Sequence, residues 1–200
     1  CKVEINIIKT QGDKIQNLSF DKLEGKGFFT KEIEDALLSE TVDLAVHSHK
    51  DLETNQPEGL EVVAVSDRAN PADILLIQKD AYDASKNLGL KEGAIVGTSS
   101  ARRKALLTAF RPDAKIKDLR GNVPTRIDKL RQRNYDAIIL ANAGVTRLEI
   151  DLSDFHVEVL KPQEFVPAPA QGVLGLQIRL NDEKTRAVVS RMNNPNVKSL

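Results

Sequence analysis

From Ala94 to Arg126 the chain reads AIVGTSSARRKALLTAFRPDAKIKDLRGNVPTR. The apolar run Ala94–Val96 is followed by the small residues Gly97, Thr98, Ser99 and Ser100, and then by Arg102, Arg103 and Lys104 at the start of a helical pattern. The first turn of a helix carries partial positive charge, so cations there are mildly unfavourable. A local rule broken without local gain points to a functional site. The simplest reason for three cations in that place is an anion, held jointly by side chains and by the unpaired N–H groups of the helix start. Arg120 and Arg126 follow the next strand-like run, and Arg147 the one after it. In open parallel α/β sheets ligands bind beyond the carboxyl ends of strands, so all five guanidinium groups are expected to converge on one crevice. Their planar forks suit carboxylate or phosphate. Arg111, Arg131 and Arg133 lie elsewhere on the pattern and read equally well as a solvated basic face.

Asp51 stands just past the strand-like run Val42–Val46, beside Lys50. Facing a crevice, its carboxylate can deliver a proton and then stabilise a cation; from spacing alone it also fits an ordinary turn residue. His47 and His49 lie two apart and on a strand would share a face. A zinc site needs at least one more ligand and none is evident, so hydrogen-bonding or structural roles are expected and no metal. Ser99 and Ser100 lie in no G-x-S-x-G elbow and read as a helix cap and anion-contacting hydroxyls. Gly25-Lys26-Gly27 lacks the P-loop pattern.

Those side chains need a scaffold, and the rest of the chain supplies one. Strand-like runs at Val3–Ile8, Val42–Val46, Leu60–Val65, Ile74–Ile77, Ala94–Val96, Ile116–Leu119, Ala137–Leu140, Val157–Leu160 and Val173–Ile178 alternate with helical patterns. The helices are expected from a Thr30 cap onward, over Ser100–Phe110, Val123–Gln132 and Ala143–Leu148, and over Asp182–Met192. Pro124 is tolerated in a first turn, where N–H groups lack partners anyway. The alternation predicts an α/β fold of two lobes, each a mostly parallel sheet flanked by helices. Lobe 1 is expected over residues 1–66 plus 171–200 and lobe 2 over 67–162. Two segments cross between them, and the Pro- and Ala-rich stretch 163–170 is the second.

Two hundred residues, 40% hydrophobic, suffice for a real core. Basic and acidic residues balance at 29 each, but between Gly97 and Arg147 twelve basic residues face four acidic ones. One part of the molecule is expected to draw in acidic ligands. With two Tyr, six Phe and no Trp, stacking platforms for nucleic acid are few. The single cysteine, Cys1, fits a reducing, cytoplasmic setting, and no apolar run approaches the roughly 20 residues of a membrane span. A start directly on a strand-like run is expected of a fragment or processed piece.

The strings GKGFFTKEIEDALL, DLAVHSHKDL, VGTSSARRKALL, LRGNVPTR, DAIILANAGVTRL and PAPAQGVLGLQIR, in that order, closely resemble the porphobilinogen deaminases, or hydroxymethylbilane synthases. The resemblance runs from about residue 1 to residue 195 and implies a transferase of tetrapyrrole synthesis. Such an enzyme condenses four porphobilinogen molecules head to tail, losing ammonia at each step, to give hydroxymethylbilane. It implies that Asp51 is the catalytic aspartate and that Arg102, Arg103, Arg120, Arg126, Arg147, Lys50, Ser100, Thr98 and Ser48 bind cofactor or substrate carboxylates. It also puts Lys22, Lys26 and Phe29 on a mobile loop, and Gln171 on the segment returning to the first lobe. The implied cofactor is a dipyrromethane, covalent on a cysteine of a further C-terminal domain; Cys1 lies at the wrong end to be that residue. Members also begin with an R-x-S-x-L-A-x-x-Q segment that does not occur here. His49, Pro124, Asn142 and Pro169-Ala170 depart from the usual pattern, the last pair standing where V-G is more usual. The chain alone is therefore expected to be inactive. A cytoplasmic monomer acting on a small molecule, without membrane or nucleic-acid partners, is expected. The alternative is a two-lobed module that binds small anions without catalysis, since two lobes and two crossovers also describe type II periplasmic-binding-protein folds. An anion sensor needs the arginines but no acid opposite them.

Overall fold

The computed structural model describes residues 2–14 and 27–198, which form two compact units. Lys22 and Lys26 lie outside the described residues. One unit comprises residues 2–14, 27–69 and 169–198, the other residues 70–168.

In the first unit a short helix α1 (Gln11–Lys14) precedes α2 (Lys31–Leu38), strand β1 (Ala45–Ser48), a single 3-10 turn (His49–Asp51) and strand β2 (Leu60–Val65). Glu32 and Glu34 occupy the first turn of α2, where the helix dipole favours acids. Thr30 precedes the helix as expected, but its side chain makes no capping bond and is buried.

The second unit holds β3 (Asp73–Gln78), β4 (Ile95–Gly97), α3 (Ala101–Phe110), β5 (Lys115–Lys117), α4 (Val123–Arg131), β6 (Ala137–Ala141), α5 (Asn142–Arg147) and β7 (Phe155–Val159). The chain then re-enters the first unit with β8 (Leu174–Arg179), α6 (Glu183–Val189) and α7 (Pro195–Lys198).

The second unit's sheet runs β5-β4-β6-β3-β7. Every residue of β3 is buried, as a strand covered on both faces requires. Its alternate residues serve opposite cores. Leu75 and Ile77 pack with Ile139, Val96 and Leu107 of α3, and Ile74 and Leu76 pack with Ile138, Leu140, Ile127 and Leu130 of α4 and Val145 of α5. The first unit's sheet runs β1-β8-β2. Val189 of α6 closes one cluster with Val63, Leu176 and Ile178, and Leu37 of α2 closes another with Ala45 and Leu60.

The α/β class stands, but strand pairing is mixed where mostly parallel sheets were expected. β4 pairs in parallel with β5 and β6, because α3 and α4 supply the crossovers that parallel neighbours need. β3 pairs antiparallel with both β6 and β7. The returning strand β8 lies antiparallel between β1 and β2.

The Val3–Ile8 run is not a strand. Residues 2–10 carry no regular structure, and Val3, Ile5 and Ile7 are each exposed by 74% or more. Apolar alternation supplies a face, but a strand also needs a ladder of backbone partners, and no strand among the described residues pairs with this segment.

Candidate functional site

In the second unit the carboxyl ends of the parallel strands β4 and β5 lead into α3 and α4, as the spacing predicts. Ser100 caps α3, its Oγ accepting from Arg103 N–H at 3.5 Å. Asn122 caps α4, its Oδ1 accepting from Thr125 N–H at 3.0 Å, with Pro124 in the first turn. Thr98 N–H donates to the Lys117 carbonyl, and its Oγ1 accepts from Ser100 N–H at 3.3 Å. Ser99 is buried and spent on structure: its hydroxyl donates to the Leu119 carbonyl at 3.1 Å and accepts from Leu119 N–H at 3.0 Å. That stitch holds the two strand ends side by side.

The arginines divide into groups with different partners. Arg102 and Arg103 share Asp73, the first residue of β3, whose side chain is fully buried. Arg102 Nη1 lies 2.8 Å from Asp73 Oδ2 and also donates to the Val166 carbonyl. Arg103 Nη2 lies 2.7 Å from Asp73 Oδ1, and its Nη1 donates to the Ile139 carbonyl at 3.1 Å. Arg103 Nε is buried with no hydrogen-bond partner among the described residues. Three charges so close carry a net charge of +1, not the +2 of two bare arginines.

Arg120 is buried, and burial holds its pKa below the ordinary arginine value against the pull of Asp118. Arg126 Nε donates to the Gly121 carbonyl at 2.6 Å, and Lys129 Nζ donates to the Arg120 carbonyl at 2.9 Å, so both bind the loop that enters α4. Arg147 is exposed in the last turn of α5.

The other cations of the basic stretch have structural work. Arg111 is buried and donates to Asp113 and to the carbonyls of Asn87, Leu90 and Lys91. Its side-chain hydrogen bonds hold Asp113 far below the usual carboxylate range. Arg131 pairs with Asp128 and Asp154, Arg133 with Asp80, and Lys104 with Asp118. Tyr135 donates its hydroxyl to the Asp118 carbonyl at 2.6 Å, and burial pushes its pKa up.

In the first unit β1 ends at Ser48, and the 3-10 turn presents Asp51 at the surface. Lys50 Nζ donates to Gln171 Oε1 at 3.3 Å, so two of the expected residues do meet. Ser48 is exposed at the strand end, and the partly exposed ring of Phe29 lies against Gly12. His47 is buried. Gln177 gives its amide protons to Gln56 at 2.7 Å and Glu34 at 3.2 Å, so its Oε1 accepts from His47 Nε2–H at 3.0 Å. Burial holds the pKa of His47 below the ordinary value, and that of His49 as well. Among the described residues no group of three or more His, Cys, Asp or Glu side chains could hold a metal ion. No helix among them is long and apolar enough to cross a membrane.

Asp73 is the residue that sequence reasoning missed. It stands 30 positions before Arg103, outside the stretch in which charges were counted. The available signal was an acid opening the apolar run DILLI, where an unpaired carboxylate could not be buried.

The fold is α/β, and the second unit carries hydroxyl-bearing residues and capped helix starts after β4 and β5, with arginines on and beside them. The family model of porphobilinogen deaminase, dipyromethane cofactor binding domain, matches residues 1–187. Porphobilinogen deaminase of Maridesulfovibrio salexigens is 47% identical over 189 residues, covering 94% of this chain and 59% of that protein. The Bacillus subtilis porphobilinogen deaminase is 45% identical over 188 residues, covering 94% and 58%. The chain belongs to the porphobilinogen deaminase family, and it spans about three-fifths of the length of these relatives. Among solved structures it is similar to an ancestral cationic amino acid solute binding protein, with a TM-score of 0.49 and 19% identity, covering 81% of this chain and 66% of that one.

Proposed function

We propose that this chain carries the cofactor-holding and proton-handling parts of a transferase of haem biosynthesis, acting in the cytoplasm. The reaction joins porphobilinogen units head to tail, losing ammonia at each step, and yields hydroxymethylbilane. The observation that carries this reading is the donor set after β4 and β5, in a chain whose family model is named for the cofactor it binds.

The residues present fit a dipyrromethane bearing acetate and propionate groups. Arg102, Arg103, Arg120, Arg126 and Arg147 offer guanidinium donors, Thr98 and Ser100 hydroxyls, and Arg103 Nε is a buried donor without an acceptor among the described residues. In the first unit Lys50 and Ser48 offer an ammonium and a hydroxyl of their own. When bound, that group would supply the free pyrrole carbon to which the first unit is joined, each later unit joining the one before it. Asp51 acts on the substrate. As the aminomethyl C–N bond breaks and ammonia departs, the substrate becomes cationic, and the carboxylate balances that charge. When the new C–C bond forms, the displaced ring proton passes to the carboxylate and on to water. Gln171 holds the Lys50 ammonium beside this turn.

The test is Asp51→Ala in the full-length protein, with porphobilinogen turnover and the binding of acidic pyrroles measured separately. Turnover is expected to vanish while binding remains. Undiminished turnover would remove Asp51 from the reaction, whereas binding without any turnover in the unaltered full-length protein would favour a non-catalytic anion-binding module.

A further inference from the structure

Asp51 is presented by a turn of only three residues, so whatever seats that turn sets where the carboxylate stands. Three contacts tie it to the segment 171–175. His49 N–H donates to the Val173 carbonyl at 3.0 Å, Lys50 Nζ reaches Gln171, and the His49 ring lies over Gly175. A Cβ on Gly175 would stand 2.8 Å from His49 Nδ1 and 3.0 Å from Leu52 Cδ1. Gly175 sits inside β8, paired with His47 on one side and Val65 on the other, and its φ is not positive. The backbone does not require glycine there, and glycine inside a strand weakens it. The close approach of the His49 ring and Leu52 explains its presence.

We propose that the packing of the His49 ring on the bare Cα of Gly175 is the seat that positions Asp51, which makes His49 a positioning residue for the charge-balancing step. The proposal rests on the reading of Asp51 given above. His49 Nδ1 is buried and has no hydrogen-bond partner among the described residues, so the ring serves there as a neutral, shaped body. Protonation would add an N–H where nothing accepts it. Lys50 and Asp51 share the turn of His49, and His47 of β1 interacts with it electrostatically. Gly175 of β8 and Leu52 bring no charge.

The experiment compares Gly175→Ala, His49→Leu, His49→Ala, the pair Gly175→Ala/His49→Ala, and Asp51→Ala in the full-length protein. It measures kcat, KM, the pH profile, the His49 titration by NMR and the exchange protection of the His49 amide. In Gly175→Ala the added methyl is expected to expel the ring. The His49 titration then moves up toward the ordinary histidine value, amide protection drops, and kcat falls roughly ten- to a hundredfold with KM within about twofold, as small misplacements of a reacting group do. Removing the ring in the paired variant is expected to cancel most of the added loss, returning kcat to the level of His49→Ala alone. His49→Leu is expected to hold the turn but to lose an acid limb of the kcat profile. If Gly175→Ala leaves the His49 titration and amide protection unchanged, the seat does not exist. If both move while kcat holds and Asp51→Ala is inactive, the seat does not position Asp51. If Asp51→Ala keeps its turnover, the role of Asp51 itself falls, and the NMR result for Gly175→Ala then stands apart from it.

Discussion

Replacing Asp73 by alanine leaves two guanidinium groups without the carboxylate that brings them together. The Arg103 side chain is only 7% exposed and that of Arg102 25%, while the acid has no exposure at all. Solvent therefore cannot take over the lost interaction at Arg103 and can do so only partly at Arg102. Removing one partner of a buried pair typically costs about 3–5 kcal/mol, because it strands an uncompensated charge. The arrangement here lies near the middle of that range, about 4 kcal/mol, since one carboxylate serves two cations of which Arg102 is partly exposed. Asp73→Asn keeps the shape and one acceptor and is expected to cost less, about 2 kcal/mol. Replacing the pair by apolar residues, as in Asp73→Leu/Arg103→Met, should recover much of the loss.

The sequence offers a selective readout. It has no tryptophan, and both tyrosines, Tyr82 and Tyr135, lie in the unit that contains Asp73. Tyrosine fluorescence during urea unfolding thus follows that unit, while circular dichroism follows both. The fluorescence midpoint should shift strongly in Asp73→Ala, and Asp80→Ala, which removes the exposed partner of Arg133, should leave it unchanged. A loss below about 1 kcal/mol for Asp73→Ala, the scale of an exposed pair, would show that the triad is not the buried anchor described.

Two further outcomes follow from the same structure. Ala170 adopts φ +54, the left-handed region that costs a Cβ-bearing residue about 1–2 kcal/mol; Ala170→Gly relieves that strain against about 0.4–1 kcal/mol of added unfolded-state freedom. A net stabilisation of roughly 0.5 kcal/mol is expected in urea unfolding by circular dichroism, and a destabilised variant would contradict the assigned backbone. The pH dependence has a definite sign. His47 and His49 bind protons less readily folded than unfolded because both are buried, so the unfolded chain holds more protons once pH falls below its histidine pKa of about 6.5. Their contribution to stability is complete above that value and is lost as pH drops toward the depressed folded values; urea midpoints between pH 7.5 and 5 should fall accordingly, and less steeply in His49→Leu.

What the sequence made legible is what depends on partners a few residues away. Ser100 before ARRKALL announces helix α3, because a cap and its N–H lie three positions apart, and Pro124 fits the first turn of α4. The strand positions of the second unit follow from their apolar runs for the same reason. Pairings across the chain were not legible. Gln177 meets His47 from 130 positions away, Asp80 meets Arg133 from 53, and Asp73 meets Arg103 from 30. The reversed entry of β8 between β1 and β2 is equally non-local, and it turned an expected parallel sheet antiparallel. The Val3–Ile8 run fails in the opposite sense: its local pattern is that of a strand, and the missing element is a partner for its backbone among the described residues. The same distinction bears on the basic stretch. Counting charge in a window treats each cation as available to a ligand, yet Arg102, Arg103, Lys104, Arg111, Arg131 and Arg133 all form ion pairs with aspartates of their own unit. The attraction exerted on an acidic ligand is therefore set less by the number of arginines than by what the fold leaves for the ligand to complete, and Arg103 Nε is a buried donor to which the described residues supply no acceptor.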